Sequence, residues 1–448
     1  MGFAERPKTC STPGSLDIRR PSRCYGPMGS KSRSAGSRFA LSLLLVLTVI
    51  NFLNYLDRYV LSAVLEGIRG DLGFDDAQGG LLGSVFMIVY TIAAPVGGIL
   101  GDRWNRNRMV ALGVGLWSLA TIGSGMAESY EGLLTMRALI GVGEAGYATV
   151  APAIIADVFK PSERGRKLSI FYLAIPMGSA LGYLLGGAVG EAYGWRAAFF
   201  VAGTPGLFFA IVAFFLPHPK RGAMDEGESV PDMPLLEGVK RLFRTPAWRI
   251  NTVGMTLMTF SMGGIAFWMP TYLIREQGMD EATGNMIFGG ITVVAGLLAT
   301  IIGGTLGDRA FAKRQGGYFS VSGMGLMLGA PFALAMPLMP NTTGVFICAF
   351  CAEFLLFLNT GPLNAALVAC VPSTLRARSM AINVFFIHLL GDALSPTLIG
   401  IVSENQGLSF AVALTSIPIA IGGFVLFRGA RKVDALPDGI GTVDPESG

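Results

Sequence analysis

Charge is what this chain has least of. Asp, Glu, Lys and Arg make up 14% of its 448 residues, against about 25% in a soluble globular chain. That deficit excludes a disordered chain, a coiled coil and an ordinary cytosolic enzyme. Histidine is nearly absent: His218 and His388 are the only two, too few for a His-rich metal site. Of the five cysteines, Cys10 and Cys24 lie near the N-terminus and Cys348, Cys351 and Cys370 lie in apolar stretches. The Cys348/Cys351 spacing has no second ligand pair to complete a metal or redox motif. Also missing are a Gly-x4-Gly-Lys-Ser/Thr phosphate loop, a His-Glu-x-x-His helix and a Gly-x-Ser-x-Gly elbow. The chain therefore reads as neither an enzyme nor the holder of a metal or cofactor, and ATP is not its driving force. A formal net charge of +4 is too small to imply a nucleic-acid partner.

What is abundant is apolar residues, 52% of the chain, and glycine, with 61, about twice the usual share of that residue. Mean hydropathy is +0.55. This combination predicts a polytopic helical membrane protein. A bilayer core needs about 20 apolar residues per helix. Stretches of that kind fall at 39–66, 77–101, 108–127, 131–157, 166–191, 195–216, 248–274, 282–306, 317–338, 343–369, 376–402 and 408–428. The expected architecture is all-α, with twelve transmembrane helices in two six-helix bundles, 39–216 and 248–428. A cytoplasmic linker at 217–247 separates them. Residues 1–38 are expected to be a disordered cytoplasmic tail and 429–448 a second cytoplasmic tail, with no cleavable signal peptide evident. Of the 34 Lys and Arg residues, only Arg69, Arg196 and Arg275 fall on the opposite side, and only Arg58 and Arg137 fall within spans. The asymmetry puts both termini and the linker in the cytoplasm.

The sequence repeats itself. Residues 97–103 read Gly-Gly-Ile-Leu-Gly-Asp-Arg and 303–309 read Gly-Gly-Thr-Leu-Gly-Asp-Arg. Arg164 and Arg166, before the fifth span, correspond to Arg376 and Arg378 before the eleventh. Two homologous bundles in parallel, related by an axis along the membrane normal, account for both pairs. Such repeats build transporters that rock around a midplane site.

The segment from Gly98 through Asp102, Arg103 and Arg106 to Arg108 resembles the signature loop between helices two and three of the major facilitator superfamily, with Asn105 where Gly is usual and Asn107 within the basic run. A narrower resemblance, to the spinster subfamily, rests on Asn51-Phe-Leu-Asn54-Tyr55-Leu-Asp57-Arg58-Tyr59, on Arg137-Ala-Leu-Ile-Gly141-Val-Gly143-Glu144-Ala-Gly146 and on Asp157 through Arg166. The resemblance implies export of lysolipids and sphingoid lipids, sphingosine 1-phosphate included.

An ionised side chain inside a span is costly and usually faces a wet pathway. At 100° per residue Asn51, Asn54, Asp57 and Arg58 share one arc of the first span. Arg137 and Glu144, seven apart, share a face of the fourth. Asp57 and Glu144 are the expected proton-coupling groups, because a conformational change that exchanges ion pairing for desolvation loads and releases a proton. Arg137 is read as their counter-ion or as the anchor of a phosphate or carboxylate headgroup. Asn51, Asn54 and Arg58 join it as substrate-binding candidates, with snorkelling as the other reading of Arg58. The alternative for the whole set is a permanent ion pair between the first and fourth helices.

Gating is expected from Asp102, Arg103 and Arg106 against the eleventh helix, and from Asp308 and Arg309 against the fifth, near Glu163 and Arg164. Topology alone is the alternative use of these charges. Gly178, Gly182, Gly186 and Gly190 form a small-residue stripe, read as a sliding surface between halves or as a fixed contact. His388 and Asp392, four apart, form a relay or a plain hydrogen bond. Glu353 is the carboxylate of the tenth span.

The sequence thus reads as a monomeric secondary carrier cycling by alternating access. Protons, membrane lipid and a lipid-like substrate are its expected partners, and a bacterial inner membrane its expected place. A carrier of small organic anions is the rival within the class; a receptor or channel is the rival outside it.

Overall fold

The computed structural model describes residues 30–217 and 234–436, with side chains from residue 39 onward except at Asp102, Pro161, Ser162, Leu235 and Ser373. Most of the expected tails and half of the linker lie outside the described residues. The chain falls into two units, Met1–Leu41 and Ser42–Gly448; the packing below belongs to the second.

Eleven helices among the described residues are long and apolar enough to cross a membrane. They are α1 (Phe39–Ala63), α2 (Asp76–Gly101), α4 (Tyr130–Val158), α5 (Glu163–Tyr193), α6 (Trp195–Phe215), α7 (Pro246–Arg275), α8 (Glu281–Phe311), α9 (Gly317–Leu338), α10 (Thr342–Ala369), α11 (Arg376–Gln406) and α12 (Leu408–Asp434). The twelfth expected span is α3 (Arg106–Gly125), a 20-residue helix. Arg106, Asn107 and Arg108 dilute its apolar run, yet its length is about the 30 Å of a bilayer core, and it is packed between α4 and α6.

Local chemistry starts these helices where the sequence needs them to start. Asp75 and Gln78 form a reciprocal capping box at α2, and Asp280 accepts from the Thr283 N–H at α8. Ser129 caps α4 and Asn341 caps α10 in the same way. Such side chains satisfy helix N–H groups that have no intrahelical acceptor. The positive-φ residues of the described chain are four glycines, and they come in two pairs. Gly73 (φ 68) and Gly278 (φ 63) precede α2 and α8; Gly194 (φ 84) and Gly407 (φ 87) join α5 to α6 and α11 to α12. Only glycine takes these conformations without a Cβ clash. The internal repeat is thus written in caps and turns as well as in the duplicated loop.

Helices α3, α4 and α6 pack together, as do α2 and α4, whereas α9, α10 and α12 form the corresponding cluster with α7 and α8. Two helix pairs join the clusters: α2 with α11, and α5 with α8. The result is the two pseudo-symmetric six-helix bundles expected.

The glycine stripe of α5 has a different partner from the one first considered. A Cβ at Gly178 would come 2.5 Å from the Phe52 carbonyl, at Gly182 2.5 Å from the Leu56 carbonyl, and at Gly186 2.6 Å from Ala63. The stripe therefore lets α5 lie tight against α1 inside the first bundle. Contact with α8 comes from Gly190, the last of the stripe, which lies against Glu281, and from the neighbouring face, where Gly187 meets Asn285 and Gly289 meets Ala180 and Tyr183.

Helix α11 is interrupted. Between Ile387 and Ala393 it makes a π turn, His388–Asp392, closed by the Ala393 N–H donating to the His388 carbonyl at 2.9 Å. A short amphipathic helix, Leu235–Arg244, precedes α7.

Candidate functional site

The ionisable residues of α1 and α4 meet. Arg58 Nε donates to Glu144 Oε2 at 2.6 Å, with Glu144 fully buried. Sequence spacing offered Arg137 as the counter-ion of Glu144; the direct pair is instead Arg58–Glu144. The reason is positional. Arg137 sits two turns before Glu144 on the same helix, and its Nε is taken by the Leu82 carbonyl at 3.3 Å. Its guanidinium lies over the Phe86 ring at 4.9 Å. The Arg58 guanidinium is enclosed by the rings of Tyr55, Phe86 and Tyr90 at 4.8, 5.1 and 5.0 Å. Stacking on aromatic faces suits a partly desolvated guanidinium, so Arg58 points inward and does not snorkel.

Asp57 is buried and accepts the Thr121 hydroxyl of α3. Asn51 donates to the Phe171 carbonyl of α5 at 3.1 Å. Asn54 is buried and lines the cavity described next. The network is not saturated. Asp57 Oδ1 and Arg137 Nη1 are buried with no hydrogen-bond partner, and Asn54 lies against Glu144. An unmet buried polar atom costs about 1–3 kcal/mol, so two in one charged cluster mark a place where something else binds or moves.

A cavity of about 520 Å³ opens from this cluster. Arg58, Asn54 and Tyr90 form its closed end, and Ala94, Gly98, Pro152 and Phe385 its walls toward the end where α1 begins. A smaller chamber of about 170 Å³ lies deeper, between Arg58, Arg137, Phe86, Phe267 and Asp392. The second bundle contributes its own polar pair there. His388 Nδ1 and Asp392 Oδ2 are 3.0 Å apart across the π turn, and the His388 ring stands edge-on to Tyr90 at 6.0 Å. Four apart predicted one face of a regular helix; the π turn is what brings the pair to the chamber. Phe385 lines the cavity and Phe267 the chamber, whereas Trp268 and Tyr272 are core.

Opposite the cavity the bundles are tied shut. Arg275 of α7 donates to Glu66 at 2.8 Å and to both oxygens of Asp76 at 2.7 and 3.0 Å. Ser403 of α11 adds a bond to Asp76 at 2.5 Å, and Asn285 of α8 donates to the Ala63 carbonyl at 3.1 Å. Gly80 and Gly400 permit backbone contact there: a Cβ on either would stand 2.2 Å from a carbonyl oxygen of the other bundle. Arg69 pairs with Glu66 at 3.2 Å, and Arg196 with Asp71. The Arg196 guanidinium and the Trp195 indole hold the exposed Asp71 carboxyl below its ordinary range. The three cations that sequence counting assigned only a topological role on this side are thus all paired. Opposite charges near the ends of α1, α2 and α7 were the available signal, but nothing in one dimension brings those ends together.

The gating candidates lie at the open end. Arg106 pairs with Asp157 of its own bundle and donates to the Gly101 carbonyl at 3.4 Å. Arg164 donates to the Phe159 carbonyl at 3.0 Å, and Asp308 accepts the Tyr318 hydroxyl at 3.0 Å. Arg103, Glu163 and Arg309 are exposed, and the Asp102 side chain lies outside the described residues. These bonds of Arg106, Arg164 and Asp308 lie within their own bundles.

Residues 47–396 match the family model described as Major Facilitator Superfamily. Protein spinster homolog 1 of Xenopus tropicalis is 36% identical over 409 residues, covering 86% of this chain and 77% of that protein. The sphingosine-1-phosphate transporter SPNS2 of Mus musculus is 34% identical over 410 residues, covering 84% and 75%. Among solved structures, a bacterial homologue of the human lysosomal transporter Spinster, inward-facing and unoccupied, matches with a TM-score of 0.79 at 22% identity, over 88% of this chain and 97% of that one.

Proposed function

The chain belongs to the major facilitator superfamily, in its spinster branch, and on that premise we propose that it is a proton-coupled carrier of an amphiphilic lipid of the lysolipid or sphingoid phosphate class. Membership makes it an integral membrane transporter. The observation that carries the finer reading is the Arg58–Glu144 pair at the closed end of the cavity, beside the unpartnered Asp57 Oδ1 and Arg137 Nη1. Protonation at Glu144 Oε1 removes the charge that holds Arg58. The freed guanidinium, with Arg137 Nη1, then presents two donors to a phosphate or carboxylate headgroup. The apolar walls around Val384 and Phe385 suit the tail. Asp57, held by Thr121, is the second proton acceptor. His388 and Asp392 face the same chamber from the other bundle and complete its polar lining.

The mouse relative named for sphingosine 1-phosphate supports this substrate class. Breaking the Arg275 lock while the ends near Arg103, Arg106, Glu163, Arg164, Asp308 and Arg309 close exposes the site to the other side. With the termini in the cytoplasm of a bacterial cell, the conformation described is inward-facing, and the carrier works as a monomer in the inner membrane. A carrier of small organic anions would use the same guanidiniums but leave the apolar walls without a purpose.

The test is flux of a labelled lysophospholipid or sphingoid phosphate into proteoliposomes, with and without a pH gradient. Gradient-driven flux that drops at least about tenfold in Glu144→Gln is expected, as for loss of an essential proton carrier. Flux that ignores both gradient and substitution rejects proton coupling. Flux of short anions with no dependence on an acyl tail rejects the lipid substrate.

A further inference from the structure

The membrane-facing side of α7 carries a feature that the transport site does not use. The helix Leu235–Arg244 is strongly amphipathic: Leu236, Val239, Leu242 and Phe243 recur on one face and Glu237, Lys240, Arg241 and Arg244 on the other. Leu242 is fully buried against the bundle, yet Leu236 is 80% and Phe243 43% exposed. Apolar residues exposed beside basic ones describe a helix lying in the plane of a membrane interface. Phe243 turns the corner into α7, with its ring 5.3 Å from Trp248 and 5.8 Å from Phe386 of α11.

Directly beyond that corner runs an apolar groove of about 400 Å³ between α7 and α11, with Arg249 at its mouth and Val253, Thr256 and Leu390 along it. A second apolar groove, about 340 Å³, begins at Leu257, which the two share, and continues past Phe260 and Ile421. From Arg249 to Phe260 the track is about 16 Å long at 1.5 Å per residue, the reach of much of an acyl chain. One polar atom sits buried in its wall without a partner: the hydroxyl of Thr252, a residue 6% exposed.

We propose that this corner is a binding site for an anionic diacyl phospholipid, with Lys240, Arg244 and Arg249 around the headgroup and one acyl chain in the α7/α11 groove. Charge complementarity selects the occupant. Arg249 lines the apolar channel, and the helix leading to it exposes Lys240 and Arg244 against one acid, Glu237; basic residues beside a membrane surface attract anionic lipid. The site is distinct from the transport cavity, although it abuts it. Leu390 lines the groove, and His388 and Asp392 line the cavity and chamber, all within one π turn. A lipid in the groove therefore braces the segment of α11 that presents the second bundle's polar pair.

The experiment is native mass spectrometry of the full-length protein in detergent, titrated with phosphatidylglycerol or with phosphatidylcholine of the same chains. Retention of phosphatidylglycerol over phosphatidylcholine is expected. Retention should fall at least about fivefold in a Lys240→Gln, Arg244→Gln, Arg249→Gln variant, and also in Val253→Trp, which fills the groove without touching the charges. Glu144→Gln should retain phosphatidylglycerol like the unaltered protein. Equal retention of the two lipids overturns the proposal. So does an unchanged affinity in the charge variant, or loss in Glu144→Gln alone, which would place the lipid in the transport cavity. Circular dichroism and elution volume of each variant separate lost binding from lost fold, and the outcome is independent of whether lysolipid flux is observed.

Discussion

The two bundles use one scaffold for different chemistry, and the contrast is sharpest between α4 and α10. Both helices begin at a side-chain cap, Ser129 and Asn341, and both carry a buried glutamate in mid-span, fifteen and twelve residues in. Three residues apart on a helix is the same side, one turn along. In the first bundle the carboxylate, Glu144, meets a guanidinium at 2.6 Å. In the second, Glu353 meets only the Thr292 hydroxyl, at 3.2 Å, and its Oε2 has no partner. The two halves share helix starts, turns and the depth of an acid, but only the first sets a cation beside it. Backbone features repeat because packing demands them of both halves. Side-chain charge diverges, and under the proposed function only one wall of the cavity has to recognise a headgroup.

Three substitutions sharpen or break that contrast. The largest effect is expected from Arg58→Ala, which leaves Glu144 buried and uncompensated at a cost of about 3–5 kcal/mol. Thermal unfolding should register the loss, and Glu144→Gln added to it should restore most of the stability. If the double variant is no better than Arg58→Ala, the pair does not act as a unit. A smaller effect is expected where the bundles meet. Arg275→Ala removes the cation shared by Glu66 and Asp76 and should favour opening of the locked end by about tenfold, or ~1.4 kcal/mol. An impermeant thiol reagent applied from that side, reacting with Ser62→Cys in a background without other cysteines, measures the change; an unaltered rate would mean the lock is ornamental. Glu353→Gln should matter least. The amide keeps an acceptor for Thr292, so stability should stay within about 1 kcal/mol, the range of substitutions that break no buried charge pair. Flux that falls as far as in Glu144→Gln would erase the distinction between the bundles.

Much of this was legible in the chain, for identifiable reasons. Apolar runs of bilayer length and the duplicated Gly-Asp-Arg loop give the architecture. Only α3 stands apart, because three polar residues open its apolar run. Asp57, Glu144, Arg58 and Arg137 announce themselves because ions in apolar runs are rare. Their pairing was not legible. Helical spacing says which residues share a face, but whether Glu144 meets Arg137 or Arg58 depends on the distance between α1 and α4. The α5 glycines show the same limit: the stripe is plain in the sequence, its partner α1 is not. The Arg275 lock was invisible because Glu66, Asp76 and Arg275 stand at three different helix ends. The gating proposed for Arg103 and Arg309 would act in a conformation other than the one described.

The π turn in α11 has a mechanical corollary. A wide turn of this kind holds one residue more than the α-helical path requires, so the helix carries a residue of slack at His388–Asp392. Passing that slack along the helix twists the segment on one side of it relative to the other by about 100°, the rotation of a single residue. The segment after the turn is pinned to α2 through Thr397, which donates to Ser84 at 2.7 Å, and through the close approach of Gly400 to Asp76. The segment before it, with Ala381, Val384 and Phe385, is cavity wall. Any migration of the turn would therefore rotate the wall while its anchor stayed still, like a swivel set into a shaft. One helix could then change what the cavity sees without sliding past its neighbours.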